Sequence, residues 1–176
     1  AKNIFEHILL SIPLLVVDSR SAVTEVKELV EISREYITAI RLKNANANAQ
    51  GVDQLELSAL FTHCKLQPVH LMLALNLAMS QAYKLGNFIT AAGFARRILE
   101  LPDSGGGAQS GGMHRKAELV LQKSEKQARN EFRLNYVEKN PLVIDCIKLT
   151  PIFHGTATIK CAFCGASYQS DAKDSL

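Results

Sequence analysis

Two cysteines near the C-terminus have the spacing of half a metal site. Cys161 and Cys164 are separated by two residues, and Gly165 follows them. Thiolates at this spacing on a tight turn can face one ion, as in one knuckle of a zinc ribbon. Tetrahedral zinc needs four ligands, and the local residues that could be added are Cys146 and His154, at spacings that match no known closed site. Half a ligand set is weak evidence for a metal, so we expect unmetallated cysteines and no cofactor, with an incomplete zinc site at Cys161 and Cys164 as the alternative.

A second group of reactive side chains lies in the first half of the chain. His63, Cys64 and His70 fall near a predicted turn between helices, where a Cys–His pair could act as a nucleophile and its base. Cysteine among apolar neighbours more often packs as a small apolar side chain. In the glycine-rich residues 105–112, Gly111 is followed by Gly112 and Met113, where a phosphate-binding loop needs Lys and then Ser or Thr. The chain also has no Gly-x-Ser-x-Gly or His-Glu-x-x-His motif. We therefore predict that the chain is not an enzyme.

The excess positive charge is confined to one segment. The chain has 20 basic and 17 acidic residues, a net charge of +3, and residues 113–139 hold seven basic residues against four acidic ones. Interspersed signs are typical of a solvated helix face with ion pairs, such as Glu125 with Arg129. Charge alone can also drive nucleic-acid binding. The alternative function is therefore a zinc-ribbon nucleic-acid-binding module that uses residues 113–139 as a basic helix.

Composition is that of an ordinary folded domain. The chain has 176 residues, of which 47% are apolar and 21% charged. The longest apolar run, around Ile8 to Val17, is interrupted by Ser11 and Pro13, and it has neither the length of a membrane span nor the flanks of a signal peptide. Four cysteines without export signals favour a reducing compartment. We therefore expect a cytoplasmic location.

Periodic apolar residues predict a mainly α fold. A first amphipathic helix is predicted from Ser21 to Lys43, because apolar residues recur there every three or four positions. Alternating Asn and Ala over residues 44–51 predict a solvated loop. Asp53 and Glu56 have the spacing of a capping box that would begin the next helix.

Two later helices have the features of a tetratricopeptide pair. Pro68 suits the first position of one helix, which should end near Gly86, and Asn87 can cap the next, which should end at Pro102. The segment from Ala82 to Pro102 resembles the second half of a tetratricopeptide unit, but the period of about 34 residues does not recur. We therefore predict a solenoid-like helical domain. Close packing of the two helices is expected from alanines at five positions: Ala78, Ala82, Ala91, Ala92 and Ala95.

The composition changes near the end of the chain. A flexible glycine-rich loop at residues 103–112 is followed by a predicted charged helix, residues 115–138. From Leu142 onward β-branched residues, Pro and Gly predict a small β-hairpin that turns near residues 154–157. The predicted organisation is a helical domain over residues 1–139, with flexible loops near 44–52 and 103–112, and a β-hairpin appendage over residues 140–176.

Short sequence motifs occur in a fixed order along nearly the whole chain. They are Leu9 to Asp18, Arg34 to Ile37, Phe61 to His63, Leu66 to His70, Lys84 to Phe88, Thr90 to Arg97, Leu134 to Tyr136, Asn140 and Pro141, Pro151 and Ile152 with Gly155, Lys160 and Cys161, and Gly165 to Tyr168. In this combination they resemble the C-terminal domain of the coatomer alpha subunit family, the scaffold of the COPI vesicle coat. The family continues for several more strands, which include a second Cys pair in some members. In a fragment, Cys161 and Cys164 would therefore be half of a zinc ribbon.

The resemblance implies an interaction domain rather than an enzyme. It implies docking of the coatomer epsilon subunit, a tetratricopeptide protein that wraps around a hairpin of the alpha subunit, in retrograde Golgi-to-ER transport. Exposed Ile152, Phe153 and Ile159 would fill the partner's groove, with packing against the chain's own helices as the alternative. Other coatomer subunits would associate through the rest of the alpha chain, and contact with Golgi membranes and COPI vesicles would be peripheral, through the coat. Cargo recognition belongs to the family's N-terminal region.

Overall fold

The computed structural model describes residues 1–102 and 108–175, and these form helices followed by short strands. The mainly helical fold with a small β region is confirmed. In chain order, the described elements are α1 (Lys2–Ser11), a 3₁₀ turn (Ile12–Leu14), α2 (Arg20–Asn48), α3 (Gly51–Phe61), α4 (Pro68–Lys84), α5 (Phe88–Glu100), α6 (Ala108–Lys126), β1 (Leu142–Ile144), β2 (Pro151–Phe153), β3 (Thr158–Lys160), β4 (Ser167–Gln169) and a final 3₁₀ turn (Ser170–Ser175).

The chain divides into two compact units. Unit 1 consists of residues 1–41 together with residues 140–176, and it contains α1, most of α2 and the strands. Unit 2 consists of residues 42–139 and contains the end of α2 and helices α3 to α6.

The predicted pair of close-packed helices is confirmed within unit 2. Pro68 occupies the first turn of α4, and α4 and α5 pack directly on each other. Gly86 lies between them with a φ of +75°, a left-handed conformation that glycine adopts without steric cost. Small side chains at the contact allow the two backbones to approach closely. The alanines predicted to line the contact are all buried: Ala78, Ala82, Ala91, Ala92 and Ala95.

The start of α5 is capped by a distant segment rather than by its own flanking residue. Asn87 precedes α5, but its buried side chain exchanges hydrogen bonds with the backbone of Phe132, at 3.0 Å from the amide nitrogen and 2.9 Å to the amide oxygen. The side-chain oxygen of Asn130 instead accepts the N–H groups of Ile89 and Thr90, at 3.0 and 3.2 Å. Asn87 therefore occupies the N-cap position as predicted, but its side chain does not make the capping hydrogen bond.

The predicted charged helix over residues 115–138 is too long. Helix α6 ends at Lys126, and residues 127–139 are not helical. The reason is tertiary, because the hydrogen bonds of Asn130 and Phe132 hold this stretch against the start of α5. The glycine-rich loop prediction is also corrected in part, since α6 begins at Ala108; residues 103–107 lie outside the described residues.

The loop predicted at residues 44–51 is largely helical. Helix α2 continues to Asn48, and α3 begins at Gly51. Alanine is the best helix former, and Asn46 is buried with its amide donating to the Gln54 carbonyl at 2.5 Å and its oxygen accepting from the Gln81 side chain at 3.2 Å. These hydrogen bonds satisfy a polar side chain that the sequence pattern had assigned to solvent.

The predicted capping box at the start of α3 does not form. Gln50 occupies the N-cap position without a side-chain cap, and Asp53 lies inside the first turn. The carboxylate of Glu56 instead accepts the N–H group of Asn135 at 2.5 Å. The glutamate therefore serves a contact with a distant loop, which a local capping pattern could not indicate.

The β region differs in topology from the single hairpin that was predicted. Residues 154–157 connect β2 to β3, but these two strands pair with other partners. Among the described residues, β1 pairs with β2 and β3 pairs with β4, both antiparallel, with Leu142 opposite Phe153 and Ile159 opposite Tyr168. A bridge between Asp145 and Ser167 joins the two hairpins. The β region is therefore a pair of short hairpins within unit 1.

Candidate functional site

The two predicted metal-binding cysteines lie on one turn that closes the β3–β4 hairpin. The N–H group of Cys161 donates to the Ala166 carbonyl and that of Gly165 to the Cys161 carbonyl, each at 2.9 Å. Gly165 has a φ of +71°, so the turn requires a left-handed residue at this point. The predicted tight turn after the Cys pair is therefore present. We call residues 161–166 the thiol turn.

The two thiols of the thiol turn differ in acidity. Hydrogen bonds to the sulfur of Cys161 from the N–H groups of Cys164 and Phe163, which outweigh its slight burial, lower the pKa of this thiol. The pKa of the Cys164 thiol is raised, chiefly because it is more buried and also because Cys161 is close. The surroundings of the turn therefore make Cys161 the more acidic of the two thiols.

Helix α2 holds the thiol turn in place within unit 1. The guanidinium of Arg34 donates from Nη1 to the Cys164 carbonyl at 2.7 Å, and Glu35 accepts from the same guanidinium at 2.8 Å. A Cβ atom on Gly165 would lie 2.8 Å from Arg34 Nη1, which is too close for a real contact. Glycine at 165 therefore serves both the backbone turn and the approach of the arginine.

Cys146 and His154, the two residues considered as additional zinc ligands, lie outside the thiol turn. The sulfur of Cys146 lies 3.7 Å from the Thr38 hydroxyl and 3.8 Å from the Ile144 carbonyl, and the Cys146 carbonyl accepts a hydrogen bond from Arg41. His154 is exposed in the connection between β2 and β3. Over residues 1–102 and 108–175, no three His, Cys, Asp or Glu side chains are grouped so as to hold a metal ion.

A buried carboxylate organises the loop next to Cys146. Asp145 is 0% exposed, and its two oxygens accept the N–H groups of Ile147, Lys148 and Gln169 at 2.7 to 2.8 Å. Burial alone would raise the pKa of Asp145, but these hydrogen bonds lower it below the ordinary value. The carboxylate therefore stays charged and ties β1 to β4. Its importance was missed in the sequence, although an Asp beside a short β-branched run is a common turn signal.

Of the three residues predicted to contact a partner, one is buried and two are partly exposed. Ile152 is 2% exposed, so the expectation that its side chain is exposed is wrong; Val143, the residue paired with it, has the exposed side chain instead. Phe153 and Ile159 are partly exposed. Phe153 lines a shallow groove of about 280 Å³, which we call the β groove. The lining residues of the β groove are Pro141, Leu142, Val143, Ile152, Phe153, His154, Gly155, Thr156, Thr158 and Lys160.

A second apolar groove lies at the N-terminal helices of unit 1. It has a volume of about 390 Å³, and we call it the α1 groove. Neighbouring apolar side chains are well exposed, and Val16 reaches 97% exposure. The apolar run from Ile8 to Val17 was the available signal, and it continues beyond the end of α1 at Ser11. The lining residues of the α1 groove are Ile4, His7, Ile8, Ser11, Ile12, Leu15 and Leu29.

The region around Cys64 has the features of a packed core. Cys64 is 3% exposed, and His63 Nε2 lies 3.0 Å from the hydroxyl of Tyr136. Burial, with Arg97 nearby, lowers the pKa of His63 to about 4, so its ring is neutral at pH 7. Burial likewise raises the pKa of Tyr136 to about 12. His70 is exposed on the first turn of α4. This arrangement favours packing for Cys64 over nucleophilic chemistry.

The nucleic-acid alternative has lost its structural basis. It required a continuous basic helix over residues 113–139, and α6 ends at Lys126. Within unit 2, Lys116 donates to the Ser80 hydroxyl at 2.8 Å, and Arg96 pairs with Glu125 at 3.0 Å. Basic residues 129 and 133 lie in the non-helical stretch that follows α6. The charged positions therefore do not form one helical face.

Comparison with known proteins decides the family. The family model for the C-terminus of the coatomer (COPI) alpha subunit matches residues 1–176. The chain belongs to this family. It is 40% identical over 170 residues to coatomer subunit alpha-1 of Arabidopsis thaliana, covering 96% of this chain and 14% of that protein.

Other members of the coatomer alpha family show the same coverage. Coatomer subunit alpha of Dictyostelium discoideum is 39% identical over 173 residues, which is 93% of this chain, and that of Saccharomyces cerevisiae is 28% identical over 175 residues, which is 98% of this chain. This chain spans about 14% of the length of these relatives. No helix in the described part of the chain is both long and apolar enough to cross a membrane.

Proposed function

We propose that this chain is a non-enzymatic docking domain of the COPI coat and that it binds the coatomer epsilon subunit. The observation that carries the proposal is the match of the whole chain to the coatomer alpha C-terminal family. The buried setting of Cys64 and the neutral His63 beside Tyr136 support a packing role for the residues that could have formed an active site. The domain acts by presenting surface to a partner rather than by chemistry.

The β groove is the proposed docking site for the epsilon subunit. A tetratricopeptide partner offers a concave surface, which suits a short projecting strand pair. Leu142 and Phe153 are opposite each other in the register, so their side chains lie on the same face of the β1–β2 pair; both are partly exposed, and both line the β groove. An aromatic and an aliphatic side chain at the centre of a contact commonly supply most of its binding energy. Ile152 is buried, and its side chain points to the opposite face of β2 from that of Phe153, so it is not a proposed contact.

The proposed cellular role follows from membership of the coat. The domain would hold the epsilon subunit on the alpha scaffold during retrograde Golgi-to-ER transport, in the cytoplasm and at the periphery of Golgi membranes and COPI vesicles. Other coatomer subunits would associate through the rest of an alpha chain. Neither nucleic acid nor a zinc-ribbon nucleic-acid module has a place in this role.

Co-elution with the epsilon subunit tests this function. The chain and purified epsilon subunit, mixed at micromolar concentrations, are expected to elute together in size-exclusion chromatography as a complex of one copy of each. The matched control is an unrelated tetratricopeptide protein of similar size, which should elute separately. Separate elution of the chain and the epsilon subunit at these concentrations would contradict the proposal.

A further inference from the structure

Three helix ends and the stretch after α6 meet at one end of unit 2. The Arg129 carbonyl accepts the N–H group of Phe88, the first residue of α5, at 3.0 Å, and the Asn87 side chain accepts the N–H group of Phe132 at 2.9 Å. Helix α4 ends four residues before Phe88, and α6 ends three residues before Arg129. Residues that are far apart in the sequence therefore share one surface.

The exposed side chains at this end of unit 2 are mostly positive. Glu131 is exposed here, and a Cβ atom on Gly86 would lie 3.5 Å from its Cβ atom. The charge of Glu125, near the end of α6, is paired with Arg96 at 3.0 Å. The positive side chains outnumber Glu131, so the surface as a whole attracts anions. Four exposed basic residues lie here: Lys84, Lys126, Arg129 and Arg133.

The stability of the helices accounts for only part of this charge. Lys84 and Lys126 lie in the last turns of α4 and α6, where a positive charge offsets the negative end of the helix dipole. Arg129 and Arg133 lie in the non-helical stretch after α6. That stretch is held on α5 by backbone groups and by the side chain of Asn130. The exposed side chains of the two arginines are therefore not what holds it in place.

Two exposed apolar side chains lie among the basic ones. Phe132 is 42% exposed and Ile89 is 54% exposed, and the Ile89 N–H group lies 3.4 Å from the Arg129 carbonyl. A membrane with anionic lipids matches this combination, because basic side chains bind its headgroups while apolar ones enter the boundary with the acyl chains. An acidic peptide would match the charges, but it would need a shaped groove for the apolar side chains. A bilayer needs no such groove, so we favour the membrane as the partner.

We propose that this surface, which we call the basic end, binds directly to membranes that contain anionic lipids. Attraction of the basic side chains to the headgroups brings the surface to the bilayer, and shallow insertion of the two apolar side chains strengthens the contact. This contact is direct, whereas the family resemblance implies membrane contact through the rest of the coat. The residues of the basic end are Lys84, Ile89, Lys126, Arg129, Phe132 and Arg133.

Co-sedimentation of the chain with lipid vesicles tests the proposal. Vesicles of phosphatidylcholine that contain phosphatidylserine should sediment the chain, whereas vesicles of pure phosphatidylcholine should not. Added salt should weaken the binding, because it screens exposed charges. Equal binding to the two kinds of vesicle, or binding to neither, would overturn the proposal. Binding to a soluble polyglutamate peptide without binding to vesicles would also overturn it and would assign the basic end to an acidic protein segment.

A pair of arginine substitutions locates the contact. Each basic residue near an anionic membrane surface strengthens binding about fivefold, so Arg129→Gln combined with Arg133→Gln should weaken vesicle binding about 25-fold. The matched control is Lys27→Gln combined with Arg115→Gln, which removes two exposed positive charges outside the basic end and should bind nearly as the wild type does. Equal losses in the two double variants would show that net charge, rather than the basic end, is responsible.

An apolar substitution tests insertion into the bilayer. Ile89→Ser should weaken binding to the anionic vesicles, because its exposed side chain no longer enters the apolar boundary. Val69→Ser is the control, since Val69 is 55% exposed at the start of α4, outside the basic end. Circular dichroism checks that each variant is folded. Equal affinities of Ile89→Ser and Val69→Ser would contradict insertion of the basic end.

Discussion

At the scale of single residues, the turn between Cys161 and Cys164 is set by local spacing, whereas the burial of Ile152 and Asp145 is set by distant contacts. The gap between Cys161 and Cys164 correctly predicted a tight turn, because two residues and a glycine leave few other conformations. Exposure of Ile152 was predicted wrongly, since a three-residue strand is too short for alternation to reveal which face is covered. The role of Asp145 depends on N–H groups up to 24 residues away, and no local pattern contains them.

His63 should make stability depend on pH in the mildly acidic range. Its pKa is lowered from 6.5 to about 4, chiefly by burial, so between these values the unfolded chain binds a proton that the folded chain does not. Stability should therefore fall as the pH decreases from 6.5 to about 4. His63→Phe should reduce this fall, because phenylalanine fills similar space without titrating.

Thermal unfolding followed by circular dichroism at several pH values between about 4 and 7 measures this effect. The control is His70→Phe at an exposed position, which should keep the wild-type dependence of the melting temperature on pH. Equal pH dependence in His63→Phe and wild type would show that His63 is not the residue responsible.

At the scale of elements, the sequence predicted the helices whose stability is local and missed the ends that distant contacts determine. Helices α4 and α5 bury alanine-rich faces against each other, so periodicity was sufficient. The end of α6 at Lys126 follows from hydrogen bonds between residues 45 positions apart, such as Asn87 with Phe132. Strand β2 pairs with β1 rather than with β3, which the sequence pattern did not indicate.

Asn130 should stabilise the start of α5 as a cap supplied from another element. Its side-chain oxygen accepts two N–H groups of the first turn, and its amide donates to the Thr90 hydroxyl at 3.1 Å. Asn130→Ala should lower the free energy of unfolding by about 1 kcal/mol, the usual cost of losing a cap. Asn130→Asp should restore most of it, because a carboxylate keeps the acceptor and suits the helix N-terminus.

Chemical denaturation of the variants gives the comparison. Asn135→Ala, at an exposed position of the same stretch, should change the free energy of unfolding by less than about 0.5 kcal/mol. If Asn130→Ala and Asn135→Ala were equally stable, the capping contact would have no energetic role.

At the scale of the whole molecule, the charge distribution suggested a basic helix over residues 113–139, and the structure does not contain one. The net charge of +3 lies in residues 113–139, but that stretch is divided between α6 and a non-helical part that packs on α5. Two apolar grooves, the β groove and the α1 groove, lie in unit 1. Large apolar patches on soluble proteins commonly mark protein interaction sites, which agrees with a member of a coat family.

Isothermal titration calorimetry with the epsilon subunit tests most directly whether the β groove binds that partner. Phe153→Asp should weaken binding at least about 30-fold, the effect of losing a central anchor worth about 2 kcal/mol. Ile147→Asp and Leu15→Asp are controls at exposed apolar positions outside the β groove, and they should bind as the wild type does. Unchanged affinity in Phe153→Asp, or a larger loss in Leu15→Asp at the α1 groove, would contradict binding at the β groove.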